Sequence, residues 1–240
     1  MPFQKKHIIE STSYLWHQLL IENHVRVCGT VVEIAPGYEI KIGNALALLG
    51  FRGTVFVIEP DQKAACHIQD TYHRILPYAT VRVVCKPLQE IKVGTDVPCE
   101  IDVLVASHPF DDMVIALIAQ NIDFFSQEKK QGAEVSPAIK KMYDGIRDEE
   151  YENGIRTTTE TWKHFIEKIK PHCFIASQYP SHTLTIKGLF KREKSGFIVL
   201  EELKRLYKNY LVEQHHKHSF GFKGNPKWWI VIKEPHNINI

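Results

Sequence analysis

Thr30–Asp61 reads TVVEIAPGYEIKIGNALALLGFRGTVFVIEPD. Thr30–Ile34 is a short apolar run carrying one acid, Glu33, and Ala35-Pro36-Gly37-Tyr38 is a turn. From Ile40 to Leu49 the apolar residues Ile40, Leu46, Ala47 and Leu49 fall near helical spacing, and Gly50 stops the helix. Thr54–Ile58 is a second buried-type run, ending on Glu59. Strand, turn, helix and strand make a βαβ unit, which opens an α/β sheet. In such sheets ligands bind beyond the carboxyl ends of the strands, where strand order reverses. Pro36 and Gly37 fall there. Glu59 follows the glycine turn at about 20 residues, the spacing from which an acid accepts hydrogen bonds from ribose hydroxyls.

The turn also says which nucleoside. A dinucleotide's pyrophosphate needs several glycines and bare backbone N–H groups. Here Gly37 is flanked by Ala35, Glu33 and Glu39, and those carboxylates repel a pyrophosphate. They tolerate a ligand with a ribose, no phosphate and a positive centre, which describes S-adenosylmethionine.

Glu33-Ile34-Ala35-Pro36-Gly37 resembles the first motif of class I S-adenosylmethionine-dependent methyltransferases, acid-x-Gly-x-Gly, with Ala35 at the first glycine and Glu39 at the third. Val57-Ile58-Glu59-Pro60-Asp61 resembles the second motif. The resemblance spans residues 14–234, carried by short motifs. It implies S-adenosylmethionine as the cofactor, held by Glu33, Ala35, Pro36, Gly37, Glu59 and Pro60. The third strand, Thr80–Cys85, is a β-branched run of the kind buried on both faces and leads into Lys86-Pro87-Leu88. Pro87 stands where the family often has an adenine-reading acid, so adenine falls to backbone groups and Leu88.

After the fourth strand, Ile101–Ala106, comes Ser107-His108-Pro109-Phe110-Asp111-Asp112. This resembles the family's fourth motif, Asn/Asp/Ser-Pro-Pro-aromatic, which implies a nitrogen as methyl acceptor. Ser107 and the His108 carbonyl can accept from an N–H. Ser107 also falls at the cofactor, and His108, Pro109, Phe110 and Asp111 at the acceptor. Phe110 can stack on a planar substrate or face a cationic centre. His108 is either a catalytic base or the turn residue before Pro109. Asp111 and Asp112 are either site acids or the cap and first-turn acids of a helix over residues 112–125.

The expected fold is α/β: one domain, residues 1–240, with a doubly wound, mostly parallel seven-stranded sheet flanked by helices. An N-terminal helix covers residues 11–23, where Tyr14 and His17 are candidates for closing over the cofactor. A helical or loop lid is inserted at 126–160. Thr161–Lys170 is a helix, His172–Ser177 the fifth strand, Ser181–Leu189 a strand or extended loop, and Phe197–Val212 a helix. A closing antiparallel hairpin pairs His216–Phe222 with Trp228–Lys233. His215, His216 and His218 allow a metal reading, but adjacent strand residues point to opposite faces, so no metal is assigned.

The 240-residue chain is 44% apolar and 24% charged, with net charge +2. That gives no electrostatic case for nucleic acid or a membrane and favours a small-molecule or protein acceptor. Cys28, Cys66, Cys85, Cys99 and Cys173 read as mostly buried free thiols in a reducing compartment. No signal peptide or ~20-residue apolar span is apparent, which fits a cytoplasmic protein. The sequence carries no signal for an oligomeric state. Two alternatives stay open. One is transfer of an aminopropyl-type group on the same fold, with Asp111 and Asp112 gripping a polycation. The other is a non-catalytic module that kept the fold, consistent with the altered glycine motif.

Overall fold

The computed structural model describes residues 2–119, 141, 143–212 and 218–235. In chain order the elements are α1 (Pro2–Glu22), β1 (Thr30–Ile34), α2 (Lys41–Leu48), β2 (Thr54–Ile58), α3 (Gln62–Ile75), β3 (Thr80–Val84), β4 (Val103–Ser107), α4 (Phe110–Ala119), α5 (Asp148–Ile169), β5 (Cys173–Ser177), α6 (His182–Ile186), α7 (Phe190–Leu206) and β6 (Trp229–Lys233). The sheet order is β3-β2-β1-β4-β5-β6. All neighbours are parallel except β5 and β6, where Cys173 faces Lys233 and Ser177 faces Trp229.

The period of two along each strand divides the core. Val31, Val55, Val57, Val103, Val105, Ile175 and Val231 point to the layer of α1, α2 and α3, where Trp16, Leu20, Ile42, Leu46 and Tyr72 are buried. Trp16 packs edge-on to Trp229, ring centroids 5.0 Å apart. Val32, Ile34, Ile58, Leu104, Ala106, Phe174 and Ile230 point to the layer of α4, α5 and α7, where Phe110, Trp162, Ile166, Val199 and Leu203 are buried. Each large apolar side chain so buried contributes about 1.5–3 kcal/mol. Asp61 caps α3, its side chain accepting from the Ala64 N–H at 2.8 Å.

Several expectations are corrected. The described residues hold six strands, not seven. The antiparallel strand at the end of the sheet is β6, and it pairs with β5; of the strand expected at His216–Phe222, residues 218–222 lie in 3-10 turns that run over His218–Gly224. β3 is a sheet edge: Thr80 and Arg82 are exposed, so it is not covered on both faces. Ser181–Leu189 contains the short helix α6. Helix α1 starts well before Ser11 and Thr12, which lie inside it rather than cap it. The helix expected at Thr161 starts at Asp148, with Tyr151 and Thr158 buried on its inner side. Cys28, Cys66, Cys85 and Cys99 are exposed, leaving Cys173 as the buried thiol. Residues 126–140 of the expected lid, and His215 and His216, lie outside the described residues. No described helix is long and apolar enough to cross a membrane.

Candidate functional site

β1 sits between β2 and β4. The helix after β1 covers one face of the sheet and the helix after β4 covers the other, so a crevice opens beyond their carboxyl ends. The turn after β1 fills the base of that crevice. Ala35 and Gly37 are both left-handed, with φ of 49° and 59°. That region costs an alanine about 1–2 kcal/mol, a cost glycine avoids. Two contacts hold the turn: the Ala35 N–H donates to the Ile58 carbonyl at 2.8 Å, and the Gly37 N–H donates to Glu59 Oε2 at 2.7 Å. Glu59 Oε1 accepts from the Asp61 N–H at 3.0 Å. One buried carboxylate therefore ties the turn after β1 to the turn after β2.

Two clefts meet at Ala35. One, about 360 Å³, is largely apolar: Ile34, Ala35, Ile58, Pro60, Pro87, Leu88 and Met113 line it, with Gln89 and Glu90 at its edge. The other, about 530 Å³ and here called the polar cleft, is where the charged groups gather: Ala35, Pro36, Glu39, Lys41, Ser107, His108, Asp112, Tyr179, Ser181, His182 and Lys223 line it, with Phe220 and Phe222.

The wall of the polar cleft is a buried ion network. His108 is left-handed at φ 64°. Its Nδ1 lies 3.1 Å from Asp111 Oδ1, and its Nε2 lies 2.6 Å from the Tyr179 carbonyl. Burial would lower the His108 pKa, but the Asp111 carboxylate overrides it and holds it up at about 9. Burial likewise opposes the Asp111 charge, yet His108 and Arg192 keep its pKa well below the ordinary carboxylate range. Arg192, from α7, donates to Asp111 Oδ2 at 3.1 Å, to Tyr143 Oη at 2.5 Å and to Asp112. Gln178 donates to Asp111 at 2.8 Å and accepts from the Phe110 N–H at 3.2 Å. The close approach of α7 requires Gly196: a Cβ there would lie 2.7 Å from the Gln178 side chain and 2.9 Å from the Asp111 nitrogen.

The structure brings Ala35, Pro36, Ser107 and His108 together in the polar cleft and Ala35, Pro60, Pro87 and Leu88 in the apolar one. Ser107 Oγ is buried with no hydrogen-bond partner among the described residues. Glu59 and Gly37 lie beneath, as the tie described above. Four expected residues are placed elsewhere. Glu33 points into the α1–α3 layer, where its Oε2 accepts from the Tyr72 hydroxyl at 2.7 Å. Burial pushes its pKa up to about 8, so it sits beneath the turn as a largely protonated acid. Phe110 is fully buried against Trp162, 5.3 Å between centroids, and stacks on nothing in the cleft. Pro109 is buried as well. Asp111 is buried inside the ion network and does not line the cleft. His108 does, but as an imidazolium with both nitrogens engaged; it has no lone pair with which to act as a base.

Sequence reasoning missed Lys41, Tyr179 and Lys223. Lys41 Nζ donates to Tyr179 Oη at 3.2 Å, and Lys223 Nζ lies 4.7 Å from the centre of the Tyr179 ring. Burial would raise the Tyr179 pKa, but Lys41, Lys223 and His108 bring it below the ordinary phenol value. The one local signal was Gln178-Tyr179-Pro180, a polar and aromatic turn directly after a buried strand, at the carboxyl end where sites form.

No protein-family model matches the chain, and no curated protein matches it significantly. Solved structures do match in fold. NSun6 from Pyrococcus horikoshii with SFG is 10% identical over 93% of this chain and 51% of its own, with a TM-score of 0.52. PH0851 is 12% identical over 92% of this chain and 45% of its own, also at 0.52. An S-adenosylmethionine-dependent methyltransferase from Clostridium acetobutylicum is 9% identical over 70% and 49%, at 0.41. The chain spans 62%, 49% and 55% of the length of the first three matched structures, about half of each. Likeness at this identity is likeness of fold alone: the chain shares with these structures a Rossmann-like α/β fold.

Proposed function

We propose that the protein is an S-adenosylmethionine-dependent methyltransferase acting on a nitrogen of a small molecule or protein side chain. The observation that carries this is the pair of clefts meeting at Ala35, one apolar and one charged, at the switch point of the sheet. The residues fit the cofactor. Ile58, Pro60, Leu88 and Met113 offer an apolar slot for a flat base. Glu59, beneath the shared border, offers carboxylate oxygens for ribose hydroxyls. Ala35 and Pro36 form the wall past which the methionine end runs into the polar cleft. When bound, the cofactor supplies an electrophilic methyl group on a sulfonium.

The chain's own work is then positioning and proton management. Tyr179 Oη is the polar atom presented to an acceptor nitrogen, while Ser107 lines the cleft with its Oγ buried. Tyr179 Oη accepts from Lys41 and has its pKa lowered by the surrounding cations; in its ionised form it takes up the proton that the acceptor nitrogen loses. His108, charged and held by Asp111, fixes the wall rather than moving a proton. The aminopropyl alternative needs free acids, and Asp111 and Asp112 are both bound to Arg192.

Calorimetric titration with S-adenosylmethionine and S-adenosylhomocysteine tests the reading, with Ala35→Leu as the blocked variant. Micromolar binding by the wild type, lost in folded Ala35→Leu, is the expected result. Absence of binding by folded wild type would leave the non-catalytic module.

A further inference from the structure

We infer that the acceptor is a small organic anion, carrying a carboxylate or a phosphate ester, whose charged group docks between Lys223 and Lys41 over the Tyr179 ring. This deepens the methyltransferase reading and rests on it.

The charges lining the polar cleft do not balance. Its charged or titratable groups are Lys41, Lys223, His108, His182, Glu39, Asp112 and Tyr179, the last hydrogen-bonded to Lys41. His108 is matched by Asp111 and Asp112 by Arg192. Glu39 lies 3.6 Å from Lys41 and is half exposed, a weak match for a lysine only 13% exposed. Lys223 has no carboxylate within ion-pair distance among the described residues. Its Nζ lies over the Tyr179 ring and 3.5 Å from Thr12 Oγ1, neither of which neutralises it. Burial, with the neighbouring Lys41, lowers its pKa against the opposing pull of Tyr179 and Glu39, so the counter-charge around it falls short. A partly buried, unmatched cation is costly, and an anionic ligand removes that cost.

Shape narrows the class. A cleft of about 530 Å³ is of the size that takes small molecules. Phe220 and the exposed Phe222 precede Lys223 in the chain and line the same cleft, so the anion's body is apolar or aromatic. A net charge of +2 offers no wider basic surface for a polyanion.

The test uses the full chain saturated with S-adenosylhomocysteine, titrated with benzoate, phenyl phosphate, benzamide and benzylamine. One or both anions should bind about tenfold or more tightly than the neutral and cationic probes, and which anion is tighter identifies the group. Lys223→Met should remove that preference, Lys223→Arg should keep it, and both should hold S-adenosylhomocysteine as the wild type does. Equal binding of all four probes overturns the proposal. So does a Lys223→Met variant that loses S-adenosylhomocysteine but not the anion preference, since the lysine would then serve the cofactor's own carboxylate. If folded wild type binds no S-adenosylhomocysteine, the methyltransferase reading falls by itself. The same titration without it then judges the anion subsite: a preference lost in Lys223→Met supports it, and uniform binding overturns it.

Discussion

The two clefts share Ala35 and little else. The apolar one is built from residues close to the motifs: Ile34 and Ile58 end β1 and β2, and Pro60, Pro87 and Leu88 follow β2 and β3. The charged one gathers Lys41, Ser107, His108, Tyr179 and Lys223 from four separate parts of the chain. The first is a product of strand ends and local turns. The second exists because buried ion pairs hold β4, β5 and α7 in one arrangement. The apolar cleft should therefore survive damage to the network, and the charged cleft should not.

Arg192→Ala presses hardest on that difference. It removes the cation that joins Asp111, Asp112 and Tyr143 and leaves Asp111 buried with less counter-charge. Breaking such a buried pair costs about 3–5 kcal/mol. Urea denaturation should show a loss of that size. In the variant at low temperature, probe anions should lose more affinity than S-adenosylhomocysteine does. A loss below about 1 kcal/mol, the scale of exposed pairs, would mean the network does not hold the wall.

Glu59→Ala attacks the other side. Its carboxylate holds the Gly37 and Asp61 N–H groups and is the candidate ribose contact. Hydrogen bonds to a charged group are worth about 1.5–3 kcal/mol, so S-adenosylhomocysteine should weaken by about one to two orders of magnitude. Benzoate or phenyl phosphate binding should change far less. If both ligands weaken equally, the clefts are not separable.

The same contrast explains what could be read from the sequence. The β1–α2–β2 unit and the four residues now lining the apolar cleft were legible because period, turn residues and motif spacing are local. The charged cleft was not, since nothing in the neighbourhood of Lys41 or Lys223 announces Tyr179. Arg192 stood in the run Phe190-Lys191-Arg192-Glu193, which reads as a solvated helix end, yet it is buried. Phe110 was misplaced for a related reason: a motif aromatic and a core aromatic are the same letter, and Trp162 claims it. β3 was misread as central because a β-branched run does not say which strand lies at the edge, and Arg82, lying over Phe56 at 5.6 Å, was the overlooked sign.

Glu33 lies outside both clefts and gives a test by pH. Its pKa is up at about 8 in the folded chain, above its ordinary 4.5. A raised carboxylate pKa stabilises the fold below the unfolded value and loses that stability as pH rises through the folded one. The wild type should thus lose stability progressively between pH 4.5 and 8. His108, up at about 9 from 6.5, adds a loss of the same sign between those values. Melting temperatures from pH 5 to 9 should fall less steeply for Glu33→Gln, and the remaining fall should sit above pH 6.5. Near pH 6 the variant should bind ligands in both clefts as the wild type does. A variant as steep as the wild type would remove Glu33 from the account.

The smallest change goes to the border itself. Ala35→Gly relieves a left-handed alanine, about 1–2 kcal/mol, and adds unfolded-chain entropy worth about 0.5–1 kcal/mol. The two nearly cancel, so the melting temperature should move little. The Cβ removed faces both clefts, at the point where a ligand spanning them must cross. S-adenosylhomocysteine, proposed to span them, should bind a few-fold more tightly, on the order of 1 kcal/mol or less. Benzoate, confined to one, should bind as before. A gain for both ligands would mean that Ala35 narrows the charged cleft as a whole. No gain for either would mean that the path across the border does not run past this residue, and the cofactor would have to lie in one cleft rather than across the two.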